Sequence, residues 1–402
     1  MCSKSFFPAF FILVSIYCGS VLAQECHLDL KEDIGNMNQP IFLKNKELAI
    51  PDVNKSGGDT GVLTFKQSDT FTLACPGKNN AFVDFAAKET VQAQCKRNDD
   101  IVVDGETVSG DDLTCQDLSQ SWIQGTGTTC GGNGTKGEIF DIGFQINSGL
   151  VKLFSVCHDI AAARTLYAQH KVYKSIKGAQ QESKRPNFKV GDNKTFKGLP
   201  PNKAYNLKQQ ISVFETILGS RAEAEKMINK GSFLSRGHLA PDADFLFAAW
   251  QYATYYYSNV NPQFQTINAG SWLQFEKAVR DLAGKLEKTL DVTTGTHGIL
   301  KVKDKPVYLD PRNQGIAVPE EFFKIVIEPI SSRGIALVCS NNPFLDKAPQ
   351  LLCKQDICGA NKWPVLKDNF KKGYCYCCDV QEFARNVGFL PTFKTSSVLQ
   401  FS

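Results

Sequence analysis

Two hydrophobic rhythms divide the chain. From Gln24 to about Gly134 the apolar positions come in short runs, "GVLTFKQ", "FTLAC", "AFVDFAA" and "DIVVDGETV", alternating or β-branched and broken by Gly, Asp and Asn. That pattern predicts a small antiparallel β module. The stretch "GTGTTCGGNGTKG" over residues 125–137 has no apolar periodicity and reads as a linker. Beyond it strands and helices mix. "FDIGFQIN", "VKLFSVCHD" and "RTLYAQHKVYKS" predict strands, and the polar residues 178–201 a surface excursion. "NLKQQISVFETILGS" and "AEAEKMIN" read as helical or mixed, "SFLSRGHLAP" as a strand and "DADFLFAAWQYATYYYSN" as a helix. The clearest helix is "SWLQFEKAVRDLAGKLEKTL", where Trp272, Phe275, Val279, Leu282 and Leu286 fall at helical spacing. "VTTGTHGIL", "KPVYLD", "FFKIVIEPI" and "GIALVC" return to strands. The chain is therefore expected to be α+β.

The first residues change the cellular picture. Lys4, an apolar run from Phe6 to Val14 and the small-residue site Val21-Leu22-Ala23 read as a signal peptide, residues 1–23. No later stretch approaches the ~20 apolar residues of a spanning helix, so a secreted protein without a membrane segment is expected. Of the 14 cysteines, Cys2 and Cys18 leave with the signal, and the even remainder suits disulfides in an oxidising compartment. "CKQDIC" and "CYCC" lack paired C-x-x-C spacing, which favours disulfides over zinc. The odd count in the amino-terminal part implies one bridge to the rest, with Cys157 as the candidate. Sequons at Asn54, Asn133 and Asn193 permit glycans.

Charge is distributed unevenly. Residues 24–135 carry 9 Lys and Arg against 17 Asp and Glu, whereas residues 164–208 carry 11 against 2. The contrast favours a domain boundary, with 24–134 as a β-rich domain and 135–402 as the larger one. It also points the basic part toward an anionic partner.

Candidate chemistry sits in "GSFLSRGHLAPDAD". On a strand Arg236 and His238 share a face, while Ser235 and Gly237 take the other; Gly237 permits close approach of a backbone or ligand. In the following helix Glu276 and Arg280 lie one turn apart, and Asn268 stands eight residues before Glu276, where an asparagine can cap. Taken singly, each is ordinary: a cap, a surface pair, a structural histidine.

Jointly, "SRGHLAPDAD", "YYYSNVNPQ" and "INAGSWLQFEKAVR" resemble the DNA/RNA non-specific endonuclease family, the ββα-metal nucleases typified by the Serratia nuclease. That family shows Asp-Arg-Gly-His on a strand, a Ser-Asn-x-x-Pro-Gln turn, and an Asn followed by Glu and Arg eight and twelve residues later. The matching positions are Arg236, Gly237, His238, Asn259, Pro262, Gln263, Asn268, Glu276 and Arg280. The resemblance spans Asp141 to about Cys378; the amino-terminal module resembles the extra domain of secreted animal members.

The resemblance implies a central antiparallel sheet with flanking helices and a Mg2+-dependent endonuclease, with Mn2+ able to substitute. DNA and RNA are the implied substrates, cut with little sequence preference to leave 5′-phosphates, and no obligate protein partner is implied. His238 becomes the general base, Asn268 the metal ligand, and Glu276 the residue that orients water on the ion. Arg236 and Arg280 hold phosphate oxygens, and Asn259 helps position substrate or base. The family's arginine on an earlier strand has Lys171 or Arg164 as its nearest counterpart here, either one a substrate contact. Ser235 replaces the leading Asp, which changes support or orientation rather than chemistry. The competing class is a secreted nucleic-acid-binding protein with reduced or lost catalysis; a cysteine-rich scaffold whose β module does the work is a third. His158, His170 and His297 read as structural, and Tyr252 and Tyr255 to Tyr257 as packing before base stacking.

Overall fold

The computed structural model describes residues 25–35, 37–54, 60–180, 184–191, 195–196 and 200–401. The expected signal segment and the Asn193 sequon lie outside the described residues. The frame is one large sheet. Its eight neighbouring strands run Trp122–Cys130, Gly137–Ile146, Gly149–Asp159, Arg164–Val172, Leu290–His297, Glu321–Glu328, Arg333–Ser340 and Cys375–Cys378, all antiparallel. A ninth, Ser397–Val398, pairs in parallel with Arg333–Ser340.

The strand period of two explains why this sheet is covered on both faces. In "EFFKIVIE", Phe322 and Val326 join one core while Phe323 and Ile325 join the other. Helix Val380–Val387 closes the second face, where Phe383 meets Phe323 edge-on at 5.2 Å. On the first face the chain leaves the sheet after Val172 and returns at Leu290 beside the strand it left. The excursion between these neighbours carries the functional segment. It contains strand β1 (Leu234–His238), its antiparallel partner β2 (Val260–Phe264) and helix α1 (Leu273–Leu286). Phe275, Val279 and Leu282 of α1 are fully buried, as their spacing predicts.

The amino-terminal module is strand-rich as expected, with a three-stranded and a six-stranded antiparallel sheet. The glycine-rich stretch read as a linker is strand up to Cys130, then a turn over 131–136. Residues 122–130 and 137–146 form a hairpin at the edge of the large sheet, and Cys130 is disulfide-bonded to Cys157. Side chains of one strand face need not be apolar at a sheet edge, so periodicity gave no warning. A cut at 134 passes through this hairpin. The other five bridges are Cys26–Cys95, Cys75–Cys115, Cys339–Cys375, Cys353–Cys378 and Cys358–Cys377. The module's unpaired fifth cysteine thus reaches Cys157, and the carboxy-terminal cluster is fully oxidised, leaving no thiolate for zinc.

Module and body share one apolar core and a polar joint. The Gln180 amide donates to the Leu30 and Ile34 carbonyls at 2.8 and 2.9 Å, and the Ser175 hydroxyl to the Pro51 carbonyl at 2.7 Å. At Gly178 the backbones approach so closely that a Cβ would lie 2.0 Å from the Gly61 nitrogen. Only glycine fits there.

Two expected elements differ. "DADFLFAAWQYATYYYSN" is broken into three short turns, Asp242–Asp244, Ala248–Tyr252 and Tyr257–Asn259, all their aromatic side chains buried. A segment buried all round satisfies helical spacing without being a continuous helix. Asn268 is not a cap. It lies in helical backbone, φ −57° and ψ −46°, within an irregular turn that runs from Gln265 into α1.

Candidate active site

β1 and β2 pair with Ser235 opposite Gln263, Arg236 opposite Pro262 and His238 opposite Val260. Arg236 and His238 emerge on one side, as alternation predicts, into a cleft of about 700 Å3 that also receives Asn268, Glu276 and Arg280. Five of the sequence-predicted residues therefore meet. Gly237 faces away and admits a protein side chain rather than a ligand, since a Cβ there would lie 2.4 Å from Gln263 Oε1.

Arg236 is held by aromatic rings. Its guanidinium carbon sits 5.4, 5.2 and 5.4 Å from the ring centres of Phe188, Tyr205 and Tyr257, and Nη2 donates to the Tyr257 hydroxyl at 3.1 Å. Such stacking fixes a planar cation while leaving in-plane donors for an anion. His238 packs between Phe188 and Tyr255, with ring centres 5.3 and 5.0 Å away. Its Nε2 is sealed from solvent and makes no hydrogen bond among the described residues, which leaves Nδ1 as the nitrogen that water can reach. Burial pushes the ring down to about 4, with Asp242 acting upward and Arg185 downward. The imidazole is thus neutral at neutral pH.

Ser235 settles the orientation of Asn268. The Ser235 hydroxyl donates its only hydrogen to the Gln263 carbonyl at 2.9 Å. Toward Asn268 it can only accept, from Nδ2 at 3.2 Å. Asn268 Oδ1 is left with no partner among the described residues. Although alternation turns the Ser235 side chain away from Arg236 and His238, it touches the neighbouring Asn268.

Glu276 is buried and accepts no hydrogen bond from a described residue. Burial raises its carboxyl to about 7 against the opposing pull of Lys324 and Arg280. Arg280 is anchored by Nη1 to Asp244 Oδ1 at 2.8 Å, and Asp244 Oδ2 takes the His170 Nε2 hydrogen at 2.8 Å. Burial alone pushes the Asp244 carboxyl up, but His170 and Arg280 together hold it well below the ordinary range. Burial also lowers His170 despite that bond. The two directions agree if neutral His170 donates and Arg280 carries the compensating charge.

The structure does not bring every predicted residue into the cleft. Asn259 is buried behind it: Oδ1 accepts the Ala240 N–H at 3.0 Å, and Nδ2 donates to the Ala240 and Thr254 carbonyls at 2.8 and 2.9 Å. Its amide is spent on backbone that follows His238, behind the cleft rather than in it. Lys171 pairs with Asp291 at 2.6 Å and Arg164 with Asp159 at 3.7 Å, both outside the cleft. His158 is buried on Thr165 and the Thr195 carbonyl, at 2.9 and 2.7 Å. Among the charged residues that line the cleft, Arg185 and Asp242 escaped sequence reading. Arg185 had only the basic composition of its region as a signal, and Asp242 read as an ordinary residue at a helix start.

Comparison with known proteins covers both parts of the chain. Residues 135–383 match the model of the DNA/RNA non-specific endonuclease family. The chain is 30% identical over 400 residues to the salivary endonuclease of Lutzomyia longipalpis, covering 94% of this chain and 89% of that protein. It is 24% identical to salivary protein Tsal1 of Glossina morsitans morsitans, over 98% of each. Among solved structures, the EndoG/EndoGI complex aligns with 18% identity and a TM-score of 0.33, over 51% of this chain and 76% of that one. On the family match and the near full-length relationship to the Lutzomyia protein, this chain belongs to the DNA/RNA non-specific endonuclease family.

Proposed function

We propose that the protein is a secreted, Mg2+-dependent endonuclease that hydrolyses DNA and RNA with little sequence preference and leaves 5′-phosphates. The observation that carries this reading is the pairing, in one cleft, of a neutral His238 with an Asn268 whose Oδ1 is kept free by Ser235. The salivary relatives and the absence, among the described residues, of any helix long and apolar enough to cross a membrane support secretion.

The donor set suits a hard divalent cation. Asn268 Oδ1 and the unbonded Glu276 carboxylate are oxygen donors, and no thiolate lies among the described residues of the cleft. Asn268 would hold the ion and Glu276 would orient its water; when bound, Mg2+ or Mn2+ supplies positive charge to the pentacovalent phosphorus and the leaving oxygen. The protein's own groups do the rest. His238 Nδ1 takes a proton from water as its oxygen bonds to phosphorus, and the bond from phosphorus to the 3′ oxygen breaks. The 3′ oxygen is reprotonated by solvent, giving a 3′-hydroxyl and a 5′-phosphate. Arg236, stacked on three rings, and Arg280, braced by Asp244, hold the nonbridging oxygens. Groups suited to phosphate and metal dominate the lining of this cleft, which fits cutting without base readout.

Plasmid DNA incubated with the wild type is expected to be cut, and EDTA or His238→Ala to slow cutting by about 10² to 10⁴-fold. Cleavage unmoved by both treatments overturns the mechanism. No cleavage by a wild type that binds DNA favours the competing reading of a nucleic-acid-binding protein with lost catalysis.

A further inference from the structure

Beside the catalytic cleft lies a second depression of about 580 Å3 that shares Arg185, Asp242, Tyr255 and Arg280 with it. Its other walls bring Lys177 and Lys184 from the basic excursion toward Lys277 of α1. All three lysines are exposed, and none makes an ion pair among the described residues. Their neighbours in the same basic run behave differently: Lys171 pairs with Asp291 and Lys174 with Asp52, each at 2.6 Å. Three unpaired cations are thus gathered in one trough, against Asp242 and Asp281 among its described lining residues.

The trough is built rather than draped. The stem of Lys177 lies across Gly284 of α1, where an added Cβ would approach its Cε to 2.9 Å. The Tyr252 hydroxyl donates to the Lys184 carbonyl at 2.9 Å, and the Gln251 amide to the Gln180 carbonyl at 2.7 Å. Backbone on both sides of the lysines is therefore tied to the body.

We infer that this trough is a phosphate track for the nucleic-acid strand on one side of the cut, with Lys177, Lys184 and Lys277 each facing a flanking phosphate. The inference rests on the nuclease reading of the adjoining cleft. Its consequence is a footprint longer than one phosphodiester, with affinity and salt sensitivity set by residues that take no part in bond breaking.

The test combines Lys177→Gln, Lys184→Gln and Lys277→Gln in the full chain. Binding of a single strand of about 20 nucleotides in EDTA should lose about 2 from the slope of log Kd against log salt, at about 0.7 per phosphate contact removed. Hydrolysis of a dinucleotide, which has the scissile phosphate and no neighbour, should keep its kcat/KM, and this also reports that the variant is folded. An unchanged salt slope overturns the track. So does a parallel loss on the dinucleotide, which would place the lysines at the scissile phosphate. If the wild type hydrolyses neither substrate, the nuclease reading fails, and the salt slope alone still decides the track.

Discussion

The amino-terminal module and the nuclease body differ in charge and in what their disulfides do. The module is acidic and closed on itself by Cys26–Cys95 and Cys75–Cys115, whereas the body gathers a basic excursion around a cleft. Its acidic balance makes the module a poor partner for phosphate. Yet it is not a bystander. Gln180, within the basic excursion, spends its amide on Leu30, Ile34 and Gln39 of the module, and its Oε1 takes the Ala248 N–H at 2.9 Å. The module therefore supports the wall that carries Arg185 and the trough lysines. A region can serve binding without touching the ligand, by fixing the backbone that does.

Gln180→Leu breaks that arrangement most directly. It leaves two buried carbonyls, the Gln39 amide and an N–H without their partner, a cost of about 4 kcal/mol at the low end of 1–3 kcal/mol per group. A clear fall in Tm and weaker DNA binding are expected, with all six disulfides still formed. Unchanged Tm and Kd would show that the module is independent of the excursion, and the comparison above would collapse.

What could be read beforehand followed physical scale. Period-two and period-3.6 patterns located the six central strands of the large sheet, from Gly137–Ile146 to Arg333–Ser340, and α1, because burial dictates both, but not its edge strands Trp122–Cys130 and Cys375–Cys378. Arg236, His238, Asn268, Glu276 and Arg280 were legible as a set because their order and spacing are rarely met by accident. Asn259 was legible as a position but not as a role, since its three bonds run to backbone that sequence does not place nearby. The same holds for Lys171 and Arg164. A basic residue on the preceding strand was visible, but not its pairing with Asp291 or Asp159 outside the cleft. Arg185 and Asp242 come from an irregular excursion and a short turn, where no periodicity speaks.

The body's side of the comparison is sharpened by variants that leave the joint alone. Ser235→Ala removes the acceptor that turns Asn268. Loss of such a support typically costs 10–100-fold in metal affinity, so the Mg2+ concentration for half-maximal cleavage should rise about tenfold. Tm should barely move, because the serine is only half-buried. Ser235→Asp, which restores an acceptor, should keep the Mg2+ requirement low. An unchanged Mg2+ dependence in the alanine variant would remove Ser235 from the account of the site.

The smallest expected effect isolates one charge inside the cleft. Asp242 accepts the Tyr255 hydroxyl at 2.6 Å and raises His238, while burial of the imidazole, the larger influence, lowers it to about 4. In the proposed role His238 acts as base only when neutral, so the limb it sets appears as pH falls through its folded value, below the ordinary histidine range, apart from the limb nearer neutrality that Glu276 sets with its carboxyl raised to about 7. Asp242→Asn removes the upward pull and keeps an acceptor for Tyr255. The limb should then move to still lower pH, by less than about one unit for a charge acting through a half-solvated cleft. The rate on the neutral plateau should change little if Asp242 touches neither ion nor phosphate. A limb that stays put while the plateau falls would assign Asp242 to substrate or metal instead, and would carry direct contact with the reaction one turn further from β1 than Arg236 and His238 place it.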